Sequence, residues 1–351
     1  MTALMLERPS LDDETIVACL REGYGLPIEH LEFVPLGNDS AAWTYHATTP
    51  DAGTLFVKVR REPRLAGILI PRFLRDLGLA EVVAAHRTRD GEPWLEIGPW
   101  SVVVYPFVDA PNAMRVGLAV DGWRRLGAFA ARLHATTLPD DLAALLPREE
   151  FRPRANELAS RVAREVDAYP RGAASHDELA ERLVEAWTAH RAEIEWLVRR
   201  SEALARRIRD RAANAPLPSR LCHADLHVGN VLVSRDGSIS VVDWDEVTLA
   251  PPERDLMFVR GSAIAGRVSD REASAFESGY GSSEANPLLI AWYRVDWAIQ
   301  DLADFARRVI LDPELGTATR AAALALFDST FDPGGEVETA VIADELVPAG
   351  D

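Results

Sequence analysis

The sequence predicts an α+β protein with two lobes: a small N-terminal lobe built on an antiparallel sheet, and a larger C-terminal lobe that is mostly helical. The chain has 351 residues, of which 48% are hydrophobic, so it can form two lobes around a substantial core. Strand-like segments dominate the first hundred residues, whereas helical periodicity dominates from about residue 120. We place the lobes at residues 1–104 and 111–351, joined by a hinge at 105–110.

The N-terminal lobe begins with a predicted helix. A variant capping box at Ser10 to Asp13 opens this helix, and Gly23 and Gly25 close it. Three strand-like segments follow: HLEFVPL, AAWTYHAT and TLFVKVR. A second helix is predicted over 64–77, and the strands WLEI and WSVVVYPFV complete the sheet. The prolines of the next segment, PFVDAPNA, indicate a connector.

The C-terminal lobe is predicted from helical periodicity that begins near residue 120. The apolar residues Trp123, Leu126, Ala130 and Leu133 recur at the spacing of one helix face. Residues 177–213 form a long stretch rich in Arg, Glu and Ala that also predicts helix. We therefore expect helices to form most of this lobe.

Composition limits the partners and the compartment. Acidic residues outnumber basic ones by 55 to 38, for a formal charge of −17, which argues against a nucleic-acid partner and favours cationic ligands. An acidic surface that only keeps the protein in solution is the alternative. The two cysteines, the absence of a secretion-type start and the short apolar runs predict a cytoplasmic protein with no membrane segment. The oligomeric state stays open.

Residues 221–246, LCHADLHVGNVLVSRDGSISVVDWDE, contain the candidate catalytic side chains. The segments VLVS and ISVVD predict two strands joined by a turn at the Asp-Gly of RDGS. Such a hairpin brings Asp243 back beside Asn230 and Asp225. Because an unpaired buried carboxylate is costly, this convergence of oxygen-bearing side chains predicts a site with a compensating ligand.

The three side chains suit phosphoryl transfer. Mg²⁺ takes oxygen ligands, so Asn230 and Asp243 are plausible metal ligands, and Asp225 is left to accept a proton from an incoming hydroxyl. Alone, Asp225 could equally be a turn or cap residue, Asn230 a turn at a strand entry and Asp243 a cap at a strand end. The Asp-x-x-x-x-Asn spacing followed by an Asp at a strand end is nevertheless typical of kinases. His223 and His227 are expected to brace the loop by hydrogen bonds.

The segments HADLHVGNVLV, VVDWDE and APPERDL resemble the aminoglycoside phosphotransferase family, which comprises small-molecule kinases with the protein-kinase fold. The segments YPFVDAPNA, RRLGAFAARLHATTLP, LAPPERDLMF and FDPGGEVETA are similar to members that phosphorylate spectinomycin. The resemblance implies an ATP- and Mg²⁺-dependent O-phosphotransferase acting on a cationic aminocyclitol, in resistance, self-protection or biosynthesis. The alternatives are a kinase of another small alcohol (choline-like, amino acid or sugar) and a non-catalytic nucleotide-binding module.

The resemblance also implies roles for individual residues. It makes Asp225 the catalytic base and Asn230 and Asp243 the metal ligands. It makes Lys58 the lysine that reaches the α- and β-phosphates, although a lone lysine in this strand could also point to solvent. Asp255 resembles an anchor of the catalytic loop. The remaining nucleotide contacts are expected in the turn between the first two strands and in the hinge: Gly37, Asn38, Asp39, Ser40, Tyr105, Phe107 and Val108.

One departure from the family pattern concerns the partner of Lys58. The helix after this lysine normally carries a Glu that pairs with it. The corresponding stretch here, PRLAGILIPRFLRDLG, has no Glu, and Glu62 precedes it. We expect that either Glu62 reaches the lysine or phosphates alone hold it.

The acceptor is expected to be small, since only eleven residues separate Asp243 from Asp255 and leave little room for a peptide platform. The stretch AWYRVDWAIQDLADFARR interleaves aromatic residues with Asp296, Asp301 and Asp304. Carboxylates beside aromatic walls suit a charged amine. Within this set, the resemblance to the members that phosphorylate spectinomycin implies that Asp296 and Asp301 are the amine ligands. The alternative is a solvated acidic face with the aromatic residues in the core.

Overall fold

The computed structural model describes residues 8–35, 42–51, 53–170, 177–259, 268–281 and 285–348. Across these ranges, every helix is too short or too polar to cross a membrane. The order of elements begins with a helix and a sheet, continues with helices, and places two short strand pairs among the helices.

A five-stranded antiparallel sheet occupies the N-terminal part, in the order β1-β2-β3-β5-β4. Its strands are β1 (His30–Val34), β2 (Ala42–Thr49), β3 (Gly53–Arg60), β4 (Leu95–Ile97) and β5 (Trp100–Pro106). Helix α1 (Asp13–Gly23) covers this sheet and buries Ile16 and Leu20 against it. Helix α2 (Leu65–Asp76) follows β3 and buries Ile70 and Leu74 in the core of the helical part.

The rest of the described chain is mostly helical. Its helices are α3 (Ala113–Val116), α4 (Val120–Ala135), α5 (Asp140–Ala143), α6 (Ala155–Ala168), α7 (Glu178–Ala189), α8 (Arg191–Asn214), α9 (Glu253–Leu256), α10 (Asp270–Tyr280), α11 (Pro287–Ile310), α12 (Thr317–Ser329) and α13 (Glu336–Glu345). The short strands are β6 (Arg220–Cys222), β7 (Val231–Val233), β8 (Ile239–Val241) and β9 (Thr248–Ala250). This architecture confirms the predicted α+β class.

Helix α11 lies at the centre of the larger core. It packs against α6, α8, α12 and α13, and it buries residues on most of its circumference, among them Trp292 and Tyr293. The stripe predicted for α4 is buried in the same core, since Trp123, Leu126 and Leu133 are almost inaccessible to solvent. The apolar spacing therefore identified the buried face of α4 correctly.

One predicted helix cap is wrong, and one predicted helical stretch is divided in two. Helix α1 is capped by Asp12, whose carboxylate accepts a hydrogen bond from Thr15 N at 2.7 Å, and not by Ser10. The long stretch 177–213 forms two helices that meet at His190, where the backbone leaves the helical conformation. Asp12 succeeds as the cap because its extended backbone aims the carboxylate at the free N–H groups of the first turn.

The predicted hairpin is confirmed, with Val231 paired to Val241 across β7 and β8. Segments from outside the hairpin extend it on both sides. Val83 N donates to Val241 O at 3.2 Å, and Val233 N donates to Pro111 O at 2.9 Å. The hairpin is therefore fixed against the segment after α2 and against the segment after the hinge.

Candidate active site

The loop that carries Asp225 is bent by a buried carboxylate. Ala224 adopts a φ of 66°, which is rare for a residue with a side chain. Asp255 accepts hydrogen bonds from Ala224 N at 2.7 Å and from His223 N at 2.9 Å. These bonds satisfy two buried N–H groups of the bend, so Asp255 holds the loop in the conformation that presents Asp225.

Asp255 is stabilised as the ionised form. Burial by itself raises the pKa of this carboxyl, but the hydrogen bond and the positive field of His134, together with the N–H donors, outweigh burial and lower the pKa below its ordinary value. His134 Nε2 lies 3.0 Å from Asp255 Oδ2, and its Nδ1 lies 2.8 Å from the Tyr280 hydroxyl. The anchor therefore extends from the loop into helices α4 and α10.

Asp225 has one oxygen engaged and one available. Asn230 Nδ2 donates to Asp225 Oδ2 at 2.7 Å and to the Asp225 carbonyl at 2.9 Å. Asp225 Oδ1 is buried and has no hydrogen-bond partner among the described residues. Burial, followed by the nearby Asp243 carboxylate, raises the pKa of Asp225 well above its ordinary value. A carboxylate in this environment is disposed to accept a proton.

The two histidines hold the loop. His223 Nε2 donates to Val242 O at 3.1 Å, and its Nδ1 accepts from Asp225 N at 3.3 Å. His227 Nδ1 accepts from Gly229 N at 2.9 Å. Burial lowers the pKa of His227 to about 4, so its 3.5 Å approach to Asp225 is not an ion pair at neutral pH. Both rings form the bracing contacts expected from the sequence.

Asn230 and Asp243 lie together at the end of the hairpin. Val242 N donates to Asn230 O at 3.0 Å, which places Asp243 one residue beyond this pair. Asp243 has a φ of 63°, which turns the chain away from the strand direction. Because Asn230 commits its Nδ2 to Asp225, its amide oxygen is left for another ligand. An amide oxygen and a half-exposed carboxylate fit a hard cation such as Mg²⁺.

Lys58 points into this site and not to solvent. Its Nζ lies 2.8 Å from Asp245 Oδ2 and 3.4 Å from Asp243 Oδ1. Burial by itself lowers the pKa of the ammonium, but the two carboxylates outweigh burial and raise it. We expected either Glu62 or phosphates alone to hold Lys58, and both expectations are wrong. Glu62 is exposed, and Asp245 is the carboxylate that pairs with the lysine. Asp245 is the second carboxylate of VVDWDE, so its acidic type and its place two residues after Asp243 are the signals for it in the sequence.

The predicted hinge residues lie where β5 ends. Tyr105 pairs with Phe56, and the ladder with β3 ends at the pair of Leu55 and Pro106. The backbone groups of Phe107 and Val108 therefore lie beyond the ladder. The Phe107 ring packs edge-on against His46, with centroids 4.8 Å apart. The other predicted nucleotide contacts lie outside the described residues: Gly37, Asn38, Asp39 and Ser40.

Helix α11 presents its two predicted amine ligands to different neighbours. They are five positions apart along the helix, which turns their side chains roughly 140° apart. Asp301 is close enough to Glu336 and Asp225 for their charges, after burial, to raise its pKa well above the ordinary value. Burial raises the pKa of Asp296 to about 7, against the opposing charge of Arg254.

The surroundings of Asp296 combine aromatic and charged groups. Asp296 Oδ1 is buried with no hydrogen-bond partner among the described residues. The Arg254 guanidinium stacks over Tyr293 at 5.6 Å and over Trp297 at 5.4 Å. Tyr293 belongs to the core, as the alternative interpretation expected, whereas Asp296 is not a solvated residue.

Asp304 is engaged elsewhere on the same helix. Its Oδ1 accepts from Arg307 Nη2 at 2.7 Å, and its Oδ2 pairs with Arg308. Asp304 therefore serves the structure of α11 and is not available to a ligand in this arrangement.

The fold and the site together define a phosphotransferase. Residues 32–297 match the model of the phosphotransferase enzyme family, APH, and the chain belongs to this family. It is a small-molecule phosphotransferase of the aminoglycoside phosphotransferase type, and its kinase-like fold confirms the expectation from the catalytic-loop motifs. A non-catalytic binding module is thereby excluded.

The chain is similar over most of its length to particular members of this family and to another protein. The structure of the spectinomycin phosphotransferase APH(9)-Ia in complex with ADP and spectinomycin superposes with a TM-score of 0.85 and 27% identity, covering 96% of this chain and 100% of that chain. Its AMP-bound complex gives a TM-score of 0.79 at the same 27% identity, covering 94% and 98% of the two chains. Protein StrN of Streptomyces griseus is 24% identical over 330 residues, 90% of this chain and 93% of that protein.

Proposed function

We propose that this chain is an ATP- and Mg²⁺-dependent O-phosphotransferase that transfers the γ-phosphate to a hydroxyl of an aminocyclitol, spectinomycin or a close relative. The observation that carries the proposal is the TM-score of 0.85 with a spectinomycin phosphotransferase bound to ADP and spectinomycin. The arrangement of Asp225, Asn230 and Asp243 supports the same reaction, because it supplies a proton acceptor beside oxygen ligands for a metal.

Asp225 is the proposed proton acceptor. As the acceptor oxygen forms its bond to the γ-phosphorus, the bond from that phosphorus to the bridging oxygen of ADP breaks, and the hydroxyl proton passes to the carboxylate. The raised pKa of Asp225 supports this role, since it increases the affinity of the carboxylate for the proton. Asn230 restrains the second carboxylate oxygen and thereby orients the first.

Asn230 and Asp243 would hold Mg²⁺ through the amide oxygen and a carboxylate oxygen. When bound, Mg²⁺ neutralises charge on the transferring phosphates. Lys58 would contact the α- and β-phosphates, and its ammonium lies 3.4 Å from Asp243 Oδ1, beside the proposed metal site. The backbone at Tyr105, Phe107 and Val108 would contact the adenine. The other proposed nucleotide contacts lie outside the described residues: Gly37, Asn38, Asp39 and Ser40.

Asp301 and Asp296 are the proposed ligands for the acceptor's protonated amines. Asp301 lies in the electrostatic field of Asp225, which supports a place for it beside the reacting hydroxyl. Asp296 offers a buried oxygen, next to aromatic rings, that has no hydrogen-bond partner within the described part of the chain. A cation that pairs with either carboxylate compensates the cost of its burial.

The test measures ADP release with spectinomycin and with a panel of other aminocyclitols, sugars and choline. We expect turnover with spectinomycin. Asp301→Asn and Asp296→Asn should raise the KM for spectinomycin about tenfold or more while the KM for ATP changes little, because each removes a charge-assisted contact to the amine. Asp304→Asn is the matched control on the same helix. It should lower the stability of the protein, because it weakens the ion pairs with Arg307 and Arg308, and it should not raise the spectinomycin KM.

The pH dependence of acceptor binding has a defined sign. Asp296 gains its charge as the pH rises through about 7. An amine that stays protonated should therefore bind more tightly above that pH. Below it, the affinity for the amine should fall by up to about tenfold per pH unit. Asp296→Asn should flatten this dependence.

Two results of the substrate tests would contradict the proposal. Turnover of choline or a sugar, with none of spectinomycin, would indicate that the acceptor is another small alcohol. Normal spectinomycin binding by both Asp301→Asn and Asp296→Asn would show that α11 does not bind the amines.

A further inference from the structure

Among the described residues, Lys58 forms ion pairs with Asp243 and Asp245, and the contact with Asp245 is the shorter and less exposed of these. Lys58 Nζ lies 2.8 Å from Asp245 Oδ2, and the two side chains are 15% and 17% exposed. The contact with Asp243 is 3.4 Å long, and the Asp243 side chain is 50% exposed. Asp245 therefore holds the ammonium, whereas Asp243 keeps an open side for another ligand.

The same carboxylate oxygen also binds Arg60. Arg60 Nη1 lies 2.6 Å from Asp245 Oδ2, and the arginine side chain is 9% exposed. Lys58 and Arg60 are two residues apart on β3, so they project from the same face of the strand. Two cations this close repel each other unless an anion lies between them. The Asp245 carboxylate contacts both cations, so its removal would weaken the compensation of two positive charges in a largely buried space.

Asp245 occupies the position beside Lys58 that a glutamate of the following helix occupies in other kinases. In kinases the lysine of the third strand pairs with a glutamate on the following helix. In α2 the acidic residue is Asp76, at the far end, where it pairs with Arg72. Near Asp245, α2 presents Gly67, and a Cβ at Gly67 would lie 3.0 Å from Trp244 O and 3.1 Å from Asp245 Oδ1. The helix backbone thus lies directly against the segment that carries Asp245, and a longer side chain there would displace this carboxylate.

We propose that Asp245 is the positioning residue for Lys58, in the role that a glutamate of the following helix fills in other kinases. It fixes the ammonium toward the phosphates of a bound nucleotide and separates it from Arg60. The inference rests on the proposed function, because it assumes that a nucleotide is the ligand. It adds that the carboxylate comes from the segment after β8, two residues beyond the proposed metal ligand Asp243.

The experiment is a calorimetric titration of the intact protein with ADP and Mg²⁺, without acceptor. Asp245→Asn keeps the side-chain shape and removes the charge, and it should raise the Kd for ADP about tenfold, as Lys58→Gln should. The double variant should be no more than about twofold weaker than either single variant, because residues that act as one unit are not additive. Asp245→Glu should restore part of the affinity.

Glu246→Gln is the matched control. Glu246 is the next residue, its side chain is half exposed, and it pairs with Arg64. Its removal should change the ADP Kd less than about twofold, the usual outcome for an exposed pair. Thermal unfolding of each unliganded variant reports folding. If Asp245→Asn alone does not fold, the comparison is made in an Arg60→Gln background. There one positive and one negative charge are removed, so the net charge of the cluster stays the same.

Four results would overturn the inference. ADP affinity unchanged in Asp245→Asn would show that the carboxylate does not act on nucleotide binding. Multiplicative losses for Lys58→Gln and Asp245→Asn would show that the two residues act independently. A loss in Asp245→Asn that excess Mg²⁺ removes would make this residue a metal ligand. Failure of the unmodified protein to bind ADP would overturn the proposed function as well, whereas ADP binding without spectinomycin turnover would leave this inference intact and change only the acceptor.

Discussion

Asp255→Asn tests whether a single buried carboxylate maintains the catalytic loop. Wild-type Asp255 accepts from Ala224 N at 2.7 Å, from His223 N at 2.9 Å and from His134 Nε2 at 3.0 Å. Asparagine has one acceptor oxygen, so its amide group must face one of the two backbone N–H groups. We expect a loss of about 2 to 4 kcal/mol: roughly 1 to 3 for the orphaned N–H and about 1 for weaker, uncharged bonds to the rest.

Urea denaturation at neutral pH measures this loss, with Asp90→Asn as the control. Asp90 lies exposed in a turn, and its change should stay within about 0.5 kcal/mol. Turnover of Asp255→Asn should also fall, since the bend at Ala224 presents Asp225. Equal stability of the two variants would refute the reasoning that the hydrogen bonds of Asp255 hold the loop.

The lowered pKa of Asp255 gives the same variant a pH signature. A carboxylate whose pKa is lower in the folded than in the unfolded protein contributes stability above its ordinary pKa of about 3.9, and this contribution is lost as the pH falls through the folded value. The stability difference between the wild type and Asp255→Asn should therefore be complete at neutral pH and should shrink below about pH 4. A difference independent of pH would contradict the assignment of the ionised form.

Three further predictions concern the reaction and the packing. Asp225→Asn should lower kcat about 10²- to 10⁴-fold with ADP affinity retained; a normal kcat would remove Asp225 from the mechanism. Asp243→Ala should impair turnover more than Asn230→Ala, and added Mg²⁺ should partly rescue only the latter; indifference of both to metal would contradict the ligand assignment. Gly127→Ala would place a Cβ 2.0 Å from Phe276 O, so it should cost about 1 to 3 kcal/mol or more in urea denaturation, and an unchanged midpoint would contradict this packing.

Local sequence determined the elements that depend on neighbouring residues. Alternation and the Asp-Gly turn identified the hairpin of β7 and β8, and the 3.6-residue period identified the buried face of α4. The spacing of Asp225, Asn230 and Asp243 indicated one shared site because a two-stranded hairpin fixes their separation. Helix ends were less accurate, as Asp12 and His190 illustrate, because several residues near each end could supply the cap or the break.

Only the tertiary structure decided which distant side chains meet. Lys58 and Asp245 are 187 residues apart in the chain, and their contact depends on how closely α2 lies against the segment after β8 at Gly67. Asp296 and Asp301 look equivalent in the sequence, yet the orientation of α11 gives them different neighbours. Periodicity shows which residues share a face of one element. It does not show what packs against that face, because the charges and donors that set a side chain's ionisation come from other parts of the chain.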